Sequence, residues 1–194
     1  DGPLPLSFAQ QRLWFIQQLD PANVAYNMMS LTRMDGVLDA DAMQAAVDAV
    51  VARHEAVRTV FVQHDGGPVQ QVVEGMRIPL EREDLRGVPE GEQDAEVERR
   101  ARAAQGCPFD LERGPLLRAL LMRLAPERHV LLLVMHHVIC DGWSRTVMVD
   151  EISAAYGALV RGEAPRRLTS MERNEPLTRP RRLPSMAAAT PPQP

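Results

Sequence analysis

The segment Met135-His136-His137-Val138-Ile139-Cys140-Asp141-Gly142-Trp143-Ser144 gathers two imidazoles, a thiol and a carboxylate into one short stretch. An imidazole titrates near neutrality and can take up a proton or orient one. A glycine just beyond it lets a substrate approach the backbone, whose amide can donate to a developing oxyanion. Together these are the equipment of acyl transfer. The segment follows an apolar run, Val130 to Val134, that reads as a buried strand, and it precedes a stretch with helical spacing. Successive strand residues point to opposite faces, so one imidazole enters a given cleft and the other must be satisfied behind it.

Other chemistries fit the same residues less well. A metal site is disfavoured, because adjacent strand histidines diverge and His136, His137 and Asp141 have no well-spaced further ligand. Cys140 beside His137 suggests a thiol nucleophile, but nothing marks an activated thiolate, and a small buried residue is the better reading. Asp141 reads either as an orienter of His137, as in a triad, or as a structural anchor. For His137 the bland alternative is a buried, hydrogen-bonded strand histidine.

The elements that must hold this segment follow from periodicity. Ser7 to Leu19 reads as a short helix with capping-box spacing at Ser7 and Gln10 and an inward stripe of Ala9, Leu13 and Ile16. A strand from Met28 to Met34 ends at Asp35-Gly36. Asp39 caps a second helix running to about His54, with Leu38, Met43, Ala46, Val47 and Val50 on one face. Arg58 to Gln63 and Val69 to Glu74 form a hairpin around Asp65-Gly66-Gly67, and Glu90 to Gln105 forms a charged surface helix. Leu116 to Leu124 pairs with Val130 to Met135. The last helix runs from Trp143 to Val160, with Met148, Ile152, Ala155, Tyr156 and Leu159 inward. Helices and antiparallel pairs in mixed order imply an α/β sandwich.

Composition narrows the function. The 194 residues carry a net charge of −4, and the basic residues, all arginine, are spread along the chain, which excludes nucleic acid as an expected partner. No apolar run approaches membrane-spanning length and no signal peptide is visible, so no membrane partner is expected. Cys107 and Cys140 lack metal-ligand spacing and form no disulfide framework, which fits a cytoplasmic protein. The final 25 residues hold six prolines, four arginines and no aromatic residue. Residues 1–168 are therefore read as the folded unit and 169–194 as a disordered, unrelated tail. The first residue, Asp1, suggests a piece of something longer.

Three motifs carry a family resemblance. His136-His137-x-x-x-Asp141-Gly142 resembles the H-H-x-x-x-D-G motif of the condensation domains of nonribosomal peptide synthetases and their relative chloramphenicol acetyltransferase. Ser7-Phe8-Ala9-Gln10-Gln11-Arg12-Leu13-Trp14 resembles that family's opening S-x-A-Q-x-R-L-W. Arg53-His54-Glu55-Ala56-Val57-Arg58-Thr59-Val60-Phe61 is similar to its R-H-E-x-L-R-T-x-F, with Val57 in place of leucine. The motifs occur in family order, and the resemblance runs from about Leu4 to Ala164, the N-terminal half of such a domain.

The resemblance implies a fold of chloramphenicol acetyltransferase type, one lobe of two that face each other across a tunnel. It implies amide-bond formation between aminoacyl or peptidyl thioesters held on the phosphopantetheine arms of carrier domains, with neighbouring synthetase domains as further partners and no directly bound cofactor. By motif position His137 is the catalytic histidine, as base or orienting group, and Gly142 supplies an oxyanion contact. Asp141 is mainly structural through an ion pair with an arginine, for which Arg58 is one candidate, while His136 packs behind the site and Trp143 anchors the core. Arg53 reads as an ion-pair donor and His54 as a charge at a helix end. Two rival readings remain: a non-catalytic condensation-domain fragment with at most carrier binding, and a free-standing coenzyme A-dependent acyltransferase.

Overall fold

The computed structural model describes residues 4–140, 142–165 and 181–182, with the backbone alone at 142–144 and 181–182. Two sheets organise it. Strands β1 (Leu4–Pro5), β3 (Thr59–His64) and β4 (Gly67–Val72) form a small antiparallel sheet in the order β1-β4-β3. The main sheet takes the order β5-β6-β7-β2-β8, from β2 (Asn27–Asp35), β5 (Leu80–Asp84), β6 (Leu117–Ala125), β7 (Arg128–His136) and β8 (Arg181–Arg182). Its centre is antiparallel, and β5 and β8 add to it in parallel.

Helices cover both faces of the main sheet, which is why β7 is apolar without interruption rather than alternating. Leu131, Leu133 and Met135 of β7 join Met43, Val47 and Val50 of helix α2 (Ala40–Arg53) and Ile152 and Tyr156 of helix α4 (Gly142–Val160) in one core. Val130, Leu132 and Val134 turn the other way, toward Val97 and Ala101 of helix α3 (Glu90–Gln105) and toward Phe61 and Phe109. Leu13 and Trp14 of helix α1 (Phe8–Leu19) pack at the edge of this second core.

Local chemistry sets the helix ends. At α1 the Gln10 amide donates to Ser7 Oγ at 3.3 Å and the Ser7 amide donates to Gln10 Oε1 at 2.9 Å, the reciprocal capping box read from sequence. Asp39 accepts from the amides of Asp41 and Ala42 at the start of α2. One sequence expectation is corrected at α1. Ala9, assigned to the inward stripe, is exposed, and the buried residue of this helix is Gln17, which donates to the carbonyls of Pro21 and Phe109. A short helix laid over a sheet edge buries only a narrow stripe, so a 3.6-residue pattern overstates its burial. The tail assigned to residues 169–194 lies outside the described residues, apart from Arg181–Arg182 paired beside Met34 and Asp35.

Candidate active site

Strand β7 brings His136 to the end of the main sheet as its last residue, and His137 opens the turn beyond it, just past the strand on which the sequence placed both. His136 is only 1% exposed. Its ring packs edge-on against Phe109 at 6.2 Å between centroids and tilted against Tyr26 at 6.4 Å. The Arg118 guanidinium covers Phe109 at 3.8 Å from the ring centre and donates to the carbonyls of Cys107 and Pro108, fixing the loop that seals His136. Asn27 braces the same loop by donating to the carbonyls of Gln105 and Cys107. The Val138 amide donates to His136 Nδ1 at 3.1 Å. Burial, with a smaller contribution from the neighbouring His137, pushes His136 down to about 4. His136 is therefore neutral at physiological pH.

His137 is exposed. Its backbone amide donates to the Tyr26 carbonyl at 2.9 Å. Its Nδ1 lies 2.6 Å from the Cys140 carbonyl. A carbonyl only accepts, so in the neutral ring Nδ1 carries the proton and Nε2 keeps its lone pair. His137 lines a cleft of about 500 Å³ together with Ala9, Gln10, Arg12 and Leu13 of α1, Tyr26, Val138 and Cys140. Cys140 itself is buried and its thiol lies 3.8 Å from the His136 carbonyl, as a packing residue rather than a presented nucleophile. The arrangement offers a basic imidazole nitrogen in an open, largely apolar cleft. That geometry suits removal of a proton from an incoming nucleophile.

The family pattern described as the Condensation domain matches residues 1–172. The chain belongs to the condensation-domain family. Among curated relatives it is 49% identical over 177 residues to the chondramide synthase cmdD of Chondromyces crocatus, covering 91% of this chain and 4% of that protein. It is 46% identical over 165 residues to a linear gramicidin synthase of Brevibacillus parabrevis, covering 85% of this chain and 3% of that protein. Its structure is similar to the starter condensation domain of rhizomide synthetase, with TM-score 0.79 and 27% identity over 87% of this chain and 40% of that one. The first condensation domain of the calcium-dependent antibiotic synthetase gives TM-score 0.78 at 27% identity, with the same coverage. The chain thus spans about two fifths of these solved condensation domains and a few per cent of these two synthases. The sandwich expected from sequence is the fold these domains share.

Within this condensation-domain sequence the remaining candidate residues are placed as follows. Asp141 lies outside the described residues, and Gly142 and Trp143 open α4 by their backbone. Arg58 is buried; its Nε donates to the Val51 carbonyl at 3.1 Å, its Nη2 to the Ala52 carbonyl at 3.4 Å, and its Nη1 lies 3.5 Å from Glu74. It lines a second, smaller cavity of about 270 Å³ with Asp48, Glu74 and Arg77, apart from the cleft of His137. Among the described residues no group of three or more His, Cys, Asp or Glu side chains could hold a metal ion. No helix among them is long and apolar enough to cross a membrane.

Three features escaped the sequence reading. His54 does end α2, its amide donating to the Val50 carbonyl at 3.1 Å, but its Nε2 also lies 2.8 Å from Glu151 of α4. Arg53 donates to the same carboxylate oxygen at 3.0 Å. Burial alone would raise Glu151, which is wholly enclosed, yet the hydrogen bonds from His54 and Arg53 outweigh it and hold the carboxyl below its ordinary value. This cluster ties α2 to the helix that follows the histidine loop. The carbonyls of Tyr26 and Cys140, which fix His137, also went unseen. Backbone acceptors leave no mark on side-chain sequence.

Proposed function

We propose that the chain forms the histidine-bearing side of a site that joins carrier-bound aminoacyl or peptidyl thioesters through an amide bond. The observation that carries this reading is His137 in the cleft, with Nδ1–H engaged by the Cys140 carbonyl and Nε2 free to accept. An α-amine, partly protonated near neutrality, must be a free base to attack. Its nitrogen attacks the thioester carbonyl and the C–N bond forms. The amine proton passes to His137 Nε2 or is held there. The tetrahedral oxyanion then collapses, the C–S bond breaks, and the thiolate of the donor's phosphopantetheine leaves and takes a proton.

Gly142 contributes a backbone amide toward the oxyanion, and its missing side chain admits the substrate. In this reading the role of Asp141 is to anchor the loop by an ion pair with an arginine, Arg58 being one candidate, and His136 buttresses the loop from behind. The partners in this reading are carrier domains and adjoining synthetase domains, in the cytoplasm. The test supplies the protein with two loaded carriers and follows dipeptide by mass spectrometry. His137→Ala should slow transfer about 10²- to 10⁴-fold; an unchanged rate would remove His137 from its role.

A further inference from the structure

Arg12 carries the one permanent charge among the described residues lining the His137 cleft, and no aspartate or glutamate lies among them. It is exposed on α1, a helix without an acidic residue. Among the described residues it makes neither a hydrogen bond nor an ion pair. Most arginines among the described residues are engaged instead. Eleven reach a carboxylate, and Arg118 and Arg145 are held by backbone carbonyls. Phe8, Phe15 and Leu19 stand exposed on the same stripe of α1, four residues before Arg12 and three and seven after it. Apolar neighbours thin the water around a guanidinium and strengthen its hold on an anion.

The acyl groups of a condensation reaction vary, and a thioester has no carboxylate of its own. The anion every carrier-bound substrate shares is the phosphodiester that joins the pantetheine arm to its carrier. A guanidinium presents a planar fork of donors that fits two phosphate oxygens at once, and it stays charged at any relevant pH. We infer that Arg12 binds this phosphodiester at the mouth of the cleft, so that the arm runs from Arg12 inward toward His137. The inference rests on the reading given under Proposed function and adds to it the residue that recognises the arm rather than the acyl group.

The test is a cycle that crosses the phosphate with Arg12, read by calorimetric titration of non-hydrolysable S-acyl thioether analogues of pantetheine and of 4′-phosphopantetheine. In the wild-type protein the phosphate should tighten binding about tenfold, and Arg12→Gln should shrink that gain to about twofold or less. Arg12→Lys should keep part of it, and added salt should weaken the gain in the wild type. Circular dichroism checks that each variant remains folded, as expected for an exposed position. A phosphate gain that persists in Arg12→Gln overturns the inference, as does the absence of a gain in the wild type. A coenzyme A thioether separates the sources: an Arg12-dependent gain that arises only with the nucleotide end attached also overturns it. If neither pantetheine ligand binds the wild type, the condensation reading falls together with this contact. If both bind without an Arg12-dependent phosphate gain, only this contact falls.

Discussion

Two neighbouring positions at the main sheet's end treat the same side chain in opposite ways. His136 is enclosed by Phe109 and Tyr26, receives the Val138 amide, and is driven neutral by burial. His137 stands in an open cleft, tethered through its own amide and through Nδ1. One peptide bond separates an enclosed imidazole from an accessible one. The division comes where the strand stops: His136 is the last residue of β7 and is enclosed, while His137 opens the turn beyond it and lines the cleft. Identity of residue type therefore says little about role here. Environment decides it.

That contrast can be broken most forcefully at His136. His136→Ala removes an enclosed ring and should cost about 3 kcal/mol of stability in urea unfolding, whereas His137→Ala should cost no more than about 1 kcal/mol. Similar losses at the two sites would erase the distinction drawn between them.

The pH dependence follows with an effect of similar size. His136 is pushed down to about 4 in the folded protein from an ordinary 6.5. Above 6.5 both states are neutral and the shift costs nothing. As pH falls from 6.5 toward 4 the unfolded chain takes up a proton the folded one refuses, so stability should drop by about 3 kcal/mol across that window. His129, also lowered by burial and by Arg123, adds to the slope from the far end of β7. In His136→Gln, whose amide oxygen can still accept from Val138, the slope should flatten. A variant that tracks the wild type through this range would assign the acid sensitivity elsewhere.

Arg118→Ala should cost about 1–2 kcal/mol by uncovering Phe109 and freeing the carbonyls of Cys107 and Pro108. It should also raise hydrogen exchange at the Val138 amide if the loop seals His136 as described; unaltered protection there would separate the loop from the histidine. The smallest effect belongs to the cleft of His137. Ser7→Ala breaks the capping box of α1, the helix that lines the cleft, and should cost about 1 kcal/mol, seen as faster amide exchange in its first turn.

Much of this arrangement was legible because it is written locally. The apolar run Val130 to Val134 marked the strand that ends at His136, although His137 falls in the turn beyond it, and α2 with its Asp39 cap and Met43-Ala46-Val47-Val50 face follows from the helical period. The assignment to the condensation domains was carried by three motifs and holds over residues 1–172. What stayed hidden depends on distant partners. Strand β5, a charged Leu-Glu-Arg-Glu-Asp stretch, is a strand because β6 pairs with it, not because its sequence alternates. The Glu151 clasp on Arg53 and His54 joins residues nearly one hundred positions apart, and no local pattern announces it. The cleft is formed where α1 comes to lie beside the histidine loop, so Arg12 and Tyr26 gained meaning only once the chain was folded.

The bond from His137 to the Cys140 carbonyl has an evolutionary consequence. Side chains drift, but every amino acid carries the same carbonyl, so no point substitution at position 140 deletes the acceptor that selects the imidazole tautomer. What the lineage must preserve is spacing. Three steps of chain separate the ring from its acceptor, and one inserted or deleted residue there would break this contact more surely than many exchanges of the residues between.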